Sequence, residues 1–109
     1  MINDVLKKLR TIYGYKAVEM SRLLEISPSY LSEIENGKKQ PSLELLKKYS
    51  EIFEIKLSSL ILLMESYDEA VAKGKSVAGI RMMMIHLIDR MSVYGEKDET
   101  ETTKEKVSS

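Results

Sequence analysis

Apolar residues recur at intervals of three and four along most of this chain, which is the spacing of one face of an α-helix. No stretch alternates apolar and polar residues in the way that a half-buried strand does. Two prolines and five glycines divide the pattern into segments of helical length. The pattern predicts an all-α protein with five helices followed by one C-terminal helix.

Residues that favour helix N-caps lie at the predicted starts of helices 1, 3, 4 and 5. Pro28 follows Ser27 at the first helical position, where its missing N–H costs nothing. The predicted starts are Asn3, Ala17, Ser27, Pro41-Ser42, and Ser58 or Ser59.

The sixth helix is predicted from about Ser76 to Tyr94 and carries an apolar stripe at heptad positions a and d. Other apolar residues flank the stripe, and a helix that is apolar nearly all round needs more than one partner surface. We therefore predict that this helix dimerises; the alternative is that it folds back on helices 1 and 5. The predicted dimerisation residues are Val77, Ile80, Met84, Leu87, Ile88, Met91 and Tyr94.

The pattern divides the chain into three parts. Residues 1–67 form the five-helix unit, and residues 68–95 form the C-terminal helical extension. Residues 96–109 are rich in Glu, Lys, Thr and Ser, and we expect them to be disordered.

Composition narrows the classes of function. The chain has no cysteine, one histidine and no Gly-rich phosphate loop, so we expect no enzyme, cofactor or metal site. His86 is expected to be buried or interfacial, and Met82 to Met84 are expected to pack rather than bind metal. No signal peptide and no apolar run of about 20 residues is present, so we expect a cytoplasmic protein without a membrane partner.

The net charge of the chain limits how it could bind an anionic partner. The 17 Lys and Arg residues balance the 17 Asp and Glu residues, so the net charge is zero. A nucleic acid must therefore be met by a local basic patch and not by the charge of the whole chain.

Helices 2 and 3 are separated only by Glu25-Ile26-Ser27, and two helices joined by a tight turn form the helix-turn-helix pattern. The residues where the two helices must pack are apolar, and Ser21 is small at their closest approach. The apolar residues are Met20, Leu24, Ile26, Leu31 and Ile34.

Residues 4–64 resemble the XRE or Cro/phage-repressor family of helix-turn-helix regulators. The resemblance rests on Leu31, Ile34-Glu35-Asn36-Gly37, Lys38-Lys39 and Pro41-Ser42. It implies a five-helix repressor-like DNA-binding domain, in which Glu35 braces the fold.

The chain departs from the family at a few positions. Glu25 and Glu54 stand where the family often has Gly, so we expect these turns to differ slightly from the family's turns. Ala17 stands where the family often has a Gln that binds phosphate, and Ser21 replaces a usual Ala.

With Leu31 and Ile34 facing inward, helix 3 points a polar face outward, and in the family this helix enters the major groove. Ser29, Ser32 and Glu33 are candidates for contacts with bases, although each could instead be only a solvated residue. The other predicted DNA-contacting residues are Ser27, Pro28, Tyr30, Asn36, Lys38, Lys39, Ala17 and Arg22.

The resemblance implies a transcriptional regulator, most simply a repressor, that binds a pseudo-palindromic operator in double-stranded DNA as a homodimer. One alternative is the antitoxin of a toxin–antitoxin pair, with the segment after Gly95 binding the toxin. A second alternative is a protein-interaction module that antagonises another regulator, which the neutral charge and Ala17 favour.

Overall fold

The computed structural model describes residues 2–91, and this range is built from α-helices without a β-strand. The predicted all-α fold is confirmed. Tyr94 and the predicted tail, residues 96–109, lie outside the described residues. The helices are α1 (Ile2–Ile12), α2 (Ala17–Leu24), α3 (Pro28–Glu35), α4 (Leu43–Phe53), α5 (Leu57–Ala72) and α6 (Val77–Met91).

Two of the predicted N-caps are confirmed and two predictions are wrong. The hydroxyls of Ser27 and Ser42 accept hydrogen bonds from backbone N–H groups three residues later, at 3.1 Å in both cases. Asn3 is not a cap, because Ile2 packs against the core and extends α1 to an earlier start.

The start of α5 also lies earlier than predicted. Lys56 is its N-cap, so Ser58 and Ser59 both lie inside the helix. Buried Ile55 anchors the preceding turn, and its N–H donates to the Ser50 carbonyl at 3.0 Å. The chain can therefore enter α5 at once, without a serine cap.

The turns after α2 and α4 have the left-handed backbone that the family usually gives to Gly. Glu25 has φ 62° and Glu54 has φ 58°. The expectation that these turns would differ from the family is therefore wrong. Each glutamate bears the steric cost of this conformation, about 1 kcal/mol.

All six helices contribute to one hydrophobic core. α1 is central to the packing, because it contacts α3, α5 and α6. The fully buried members include Leu6, Leu9, Met20, Leu24, Leu31, Ile34, Tyr49, Phe53, Leu60, Leu63 and Met84.

α6 packs on α5 and α1 of its own chain, which was the alternative to a dimer seam. Ile80 and Met84 are buried inside this protomer, so these two predicted dimerisation residues are not available to a second copy. Leu87, Ile88 and Met91 are half-buried against the same core, whereas Val77 is exposed.

His86 is exposed on the protomer, so its predicted burial is wrong, whereas an interfacial position stays a prediction. α5 runs without interruption from Leu57 to Ala72 and so continues past residue 67, the predicted end of the five-helix unit. No helix within residues 2–91 is both long and apolar enough to cross a membrane.

Candidate nucleic-acid interface

α2 and α3 meet at a tight turn whose backbone groups are satisfied locally. The N–H of Glu25 donates to the Arg22 carbonyl, and the N–H of Ile26 donates to the Ser21 carbonyl. Met20 and Leu24 of α2 and Leu31 and Ile34 of α3 are buried between the helices, as the sequence predicted.

Ser21 allows the two helices to approach closely. It is buried, and its hydroxyl donates to the Val18 carbonyl at 2.8 Å. A side chain as short as serine leaves room for α3, and the hydroxyl is satisfied within its own helix. α3 is thus fixed to α2 by apolar contacts on one face and has its other face free.

The outer face of α3 presents polar groups. Ser29, Ser32 and Asn36 are exposed and Glu33 is half-buried. The Asn36 side-chain amide donates to the Ser32 hydroxyl at 3.2 Å, which holds these two side chains together on one face. Hydroxyl, carboxylate and amide groups are the types that read base edges in the major groove.

Tyr30 lies at one side of this face. Its ring is half-buried against the core, and it lines a small groove together with Ile26, Ser42 and Glu44. The ring thus lies against the α2–α3 turn and the start of α4.

The N-terminus of α3 offers few free backbone N–H groups. Ser27 and Pro28, which are among the predicted DNA-contacting residues, are both exposed there. Pro28 has no N–H, however, and the Tyr30 N–H already donates to the Ser27 hydroxyl. The N–H of Ser29 is the remaining first-turn group, so a phosphate at this end would be held mainly by Ser29 and by nearby cations.

The side-chain carboxylate of Glu19 lies at the N-terminus of α2. The backbone N–H of Lys16 donates to Glu19 Oε1 at 2.7 Å. Ala17 is exposed but can offer only its backbone to a phosphate. Glu19 therefore places a negative charge at this helix end, whereas the side chains of Lys16 and Arg22 are exposed and positive.

The loop after α3 places two lysines beside the polar face. The backbone N–H groups of Lys38 and Lys39 both donate to the Glu33 carbonyl, at 2.8 and 3.2 Å. Gly37 makes this reversal with φ 78° and lies against Asn3, which a Cβ would meet at 3.2 Å. Both lysine side chains are exposed, so they can reach phosphates on either side of the groove that α3 would enter.

A partly buried ion pair joins α3 to α1. The Arg10 guanidinium donates to both carboxylate oxygens of Glu35, at 2.7 and 3.0 Å, and to the Tyr15 carbonyl at 3.0 Å. The hydrogen bond with Glu35 raises the pKa of Arg10. The bracing role that the resemblance implied for Glu35 thus has a partner, which the sequence did not reveal because the two residues are 25 positions apart.

The same ion pair removes Arg10 from the cations that could meet DNA. Arg10 is mostly buried and committed to Glu35, whereas Lys16, Arg22, Lys38 and Lys39 are exposed.

A family model described as "Helix-turn-helix" matches residues 6–60, half of the 109-residue chain. The chain belongs to the helix-turn-helix family. The matched range runs from α1 to α5 and contains the α2–α3 unit, so the resemblance to XRE-type regulators that the sequence indicated is confirmed.

Relatives of this helix-turn-helix protein include two bacterial regulators. It is 31% identical over 101 residues to the HTH-type transcriptional regulator SlrR of Bacillus subtilis, covering 91% of this chain and 62% of SlrR. It is 37% identical over 62 residues to the transcriptional regulator ClgR of Mycobacterium tuberculosis, covering 57% of this chain and 55% of ClgR. The chain thus spans less than two thirds of each relative. No solved structure matches it at a significant level.

Proposed function

We propose that this protein is a sequence-specific transcriptional regulator that binds double-stranded DNA through α3. The observation that carries the proposal is the outer face of α3, where Ser29, Ser32 and Asn36 are exposed beside Lys38 and Lys39. The two regulators that it resembles support the same class.

In this proposal the residues divide into two roles. Ser29, Ser32 and Glu33 contact base edges, because they project from the middle of the outer face of α3. The remaining residues of the interface, Ser27, Pro28, Tyr30, Asn36, Lys38, Lys39, Ala17 and Arg22, contact the phosphate backbone and set the orientation of α3.

We further propose that the protein acts in the cytoplasm as a homodimer and represses transcription from a pseudo-palindromic operator. One helix-turn-helix unit contacts only a few base pairs, and a two-fold pair of units reads two half-sites one helical turn apart or a multiple of that.

Selection of bound duplexes from a random DNA pool tests these proposals together. We expect an enriched motif with two inverted half-sites whose centres are about 10 base pairs apart, or a multiple of that. A Ser29→Ala/Ser32→Ala variant is the matched control, since it removes two exposed hydroxyls without touching the core. It should enrich a weaker or altered motif. Recovery of no motif by the wild-type protein would overturn the proposal.

A second candidate function is a protein-interaction module that antagonises another regulator. The Glu19 carboxylate at the N-terminus of α2 and the bare methyl of Ala17 favour it, because both weaken phosphate binding at that end. Under this alternative, DNA affinity would be negligible at low salt as well as at high salt, whereas a DNA-binding regulator gains affinity steeply as the salt concentration falls.

A further inference from the structure

The first turn of α1 lies against the loop that carries Lys38 and Lys39. A Cβ added to Gly37 would meet Asn3 Nδ2 at 3.2 Å and Asn3 Cγ at 3.6 Å. The Asn3 amide therefore packs on the backbone of Gly37, on the side where any other residue would carry its side chain. Asn3 is half-buried, whereas Gly37 is exposed. The amide is thus held near the surface, beside the C-terminal end of α3.

The Asn3 amide has hydrogen-bonding groups that the protein does not use. Within residues 2–91 its side chain forms no hydrogen bond. The nitrogen of an asparagine amide carries two N–H donors. Because the side chain is packed in place while these donors are unpaired, they are available to an acceptor from outside the protein.

These donors lie close to the first cation of the loop. Asn3 Nδ2 is within about 5 Å of the Gly37 Cα, and successive Cα atoms are about 3.8 Å apart, so it is within about 9 Å of the Lys38 Cα. Lys38 is exposed, and its flexible stem can carry the ammonium toward Asn3. One anionic group can therefore be contacted by Asn3 and by Lys38 together.

The carboxylates next in sequence to this contact are engaged elsewhere. Asp4 lines a groove with Tyr67 of α5, on another side of α1. The Glu35 carboxylate is paired with Arg10. The charges of the loop itself are the two exposed lysines, and their positive potential favours an anion beside Asn3.

We propose that Asn3 is a further DNA-contacting residue, which donates a hydrogen bond from Nδ2 to a phosphate oxygen that Lys38 also approaches. Asparagine is among the side chains that bind phosphates, and such contacts orient a protein on the duplex without reading its sequence. The contact costs little side-chain entropy, because Asn3 is already packed against Gly37. The inference rests on the proposed function and adds α1 to the surface that meets the DNA backbone.

Asn3→Ala tests the contact in the full chain, with fluorescence anisotropy on the duplex that the random-pool selection enriches. We expect the affinity to fall about threefold to tenfold, the size of one lost hydrogen bond, and equally on single-base variants of the duplex. The slope of log affinity against log salt should stay unchanged, because Asn3 is uncharged. The free energy of unfolding should not fall, since Ala is a better helix former than Asn.

Asn3→Asp keeps the shape of the side chain but replaces its donors by a carboxylate oxygen. It should weaken binding more than Asn3→Ala does, and the additional loss should shrink as salt screens the repulsion.

Thr11 provides the matched control on the same helix. It is exposed, lies on the side of α1 that faces Tyr67, and is eight residues from Asn3, about 12 Å along the helix. Thr11→Ala and Thr11→Asp should therefore leave DNA binding unchanged at physiological salt, where that distance exceeds the screening length.

The outcomes separate this contact from the proposed function. A wild-type protein that enriches no motif and binds no duplex at low salt would overturn both. Wild-type affinity in a folded Asn3→Ala variant would overturn only the contact. A loss of affinity accompanied by a lower salt slope would show that Asn3 acts through the position of the two lysines, and would also overturn the direct hydrogen bond.

Discussion

On the outer side of the α2–α3 unit, some side chains are suited to recognising a base and others to binding a phosphate. Glu33 is half-buried, and its carbonyl, not its carboxylate, holds the following loop. Its side chain is therefore free to accept a hydrogen bond from a base. Lys38 is exposed and presents a positive charge on a flexible side chain type, which is suited to a phosphate.

Substitutions at these two residues should have different effects on DNA binding. Glu33→Ala should change the preferred base at one position of the site, because a carboxylate accepts from cytosine N4. Lys38→Ala should weaken all sequences alike and lower the slope of log affinity against log salt by about 1. Binding titrations on a set of single-base variants at several salt concentrations measure both effects. The opposite assignment of effects would contradict these roles.

Replacement of the left-handed glutamates should stabilise the protein. Glu25→Gly and Glu54→Gly remove a steric cost of up to about 1 kcal/mol each from the folded state. The Glu25 carboxylate also pairs with Lys48 at 3.3 Å, but both groups are well exposed, so its loss should cost little. Urea denaturation measures the change in the free energy of unfolding.

Glu51→Gly is the matched control for these glycine variants. Glu51 is exposed on α4 in ordinary helical conformation, so the same change there should destabilise the protein by about 1 kcal/mol. Equal destabilisation at residues 25, 54 and 51 would show that the left-handed conformation is not strained.

At the scale of elements, α1 determines how α3 is held. It packs on α3 by apolar contacts and by the Arg10–Glu35 ion pair, and Arg10 also holds the Tyr15 carbonyl before α2. One guanidinium thus connects α1, the α1–α2 loop and the end of the proposed recognition helix. This connection adds to the apolar contacts between α2 and α3 that position the recognition helix.

Removal of one partner of the Arg10–Glu35 pair should destabilise the protein. Arg10→Met leaves the mostly buried Glu35 carboxylate unpaired, and Glu35→Leu leaves the guanidinium unpaired, so each should lower the free energy of unfolding by about 3 kcal/mol. The double variant should lose less than the sum, because no buried charge then remains. Chemical denaturation of the wild type, the two single variants and the double variant gives four free energies of unfolding, which form a double-mutant cycle.

The exposed Glu25–Lys48 pair provides the comparison for this cycle. Its coupling energy should not exceed about 1 kcal/mol, because both side chains are largely in water. A coupling energy for Arg10 and Glu35 as small as that of the exposed pair would contradict a bracing role.

At the scale of the whole molecule, α6 belongs to the same core as the helix-turn-helix unit. Ile80 and Met84 are buried against α5 and α1, and α1 in turn holds α3. α6, which lies outside the family match, is therefore connected through α1 to the proposed DNA-binding face.

Met84→Ala tests this single core. Loss of a fully buried methionine should lower the free energy of unfolding by about 2–5 kcal/mol, and the whole protein should still unfold in one transition. Met82→Ala, two residues away on the exposed side, should change it by less than about 0.5 kcal/mol. A separate early transition for α6, with the remainder unaffected, would show instead that α6 is an independent appendage.

The sequence alone determined the features that depend on neighbouring residues. Helical spacing predicted the all-α fold, and Ser27, Pro28 and Gly37 marked the limits of α3 because caps and left-handed turns are local chemistry. The buried and exposed faces of α3 followed from the positions of Leu31 and Ile34 for the same reason.

Only the tertiary structure decided which surfaces meet. The heptad stripe of α6 showed an apolar face but not its partner, and the packing of Ile80 and Met84 on α5 and α1 assigned that face to the protomer's own core. The Arg10–Glu35 pair was hidden for the same reason, since residues 25 positions apart carry no periodic signal of contact. Burial depends on every element that packs nearby, whereas periodicity reports only one helix at a time.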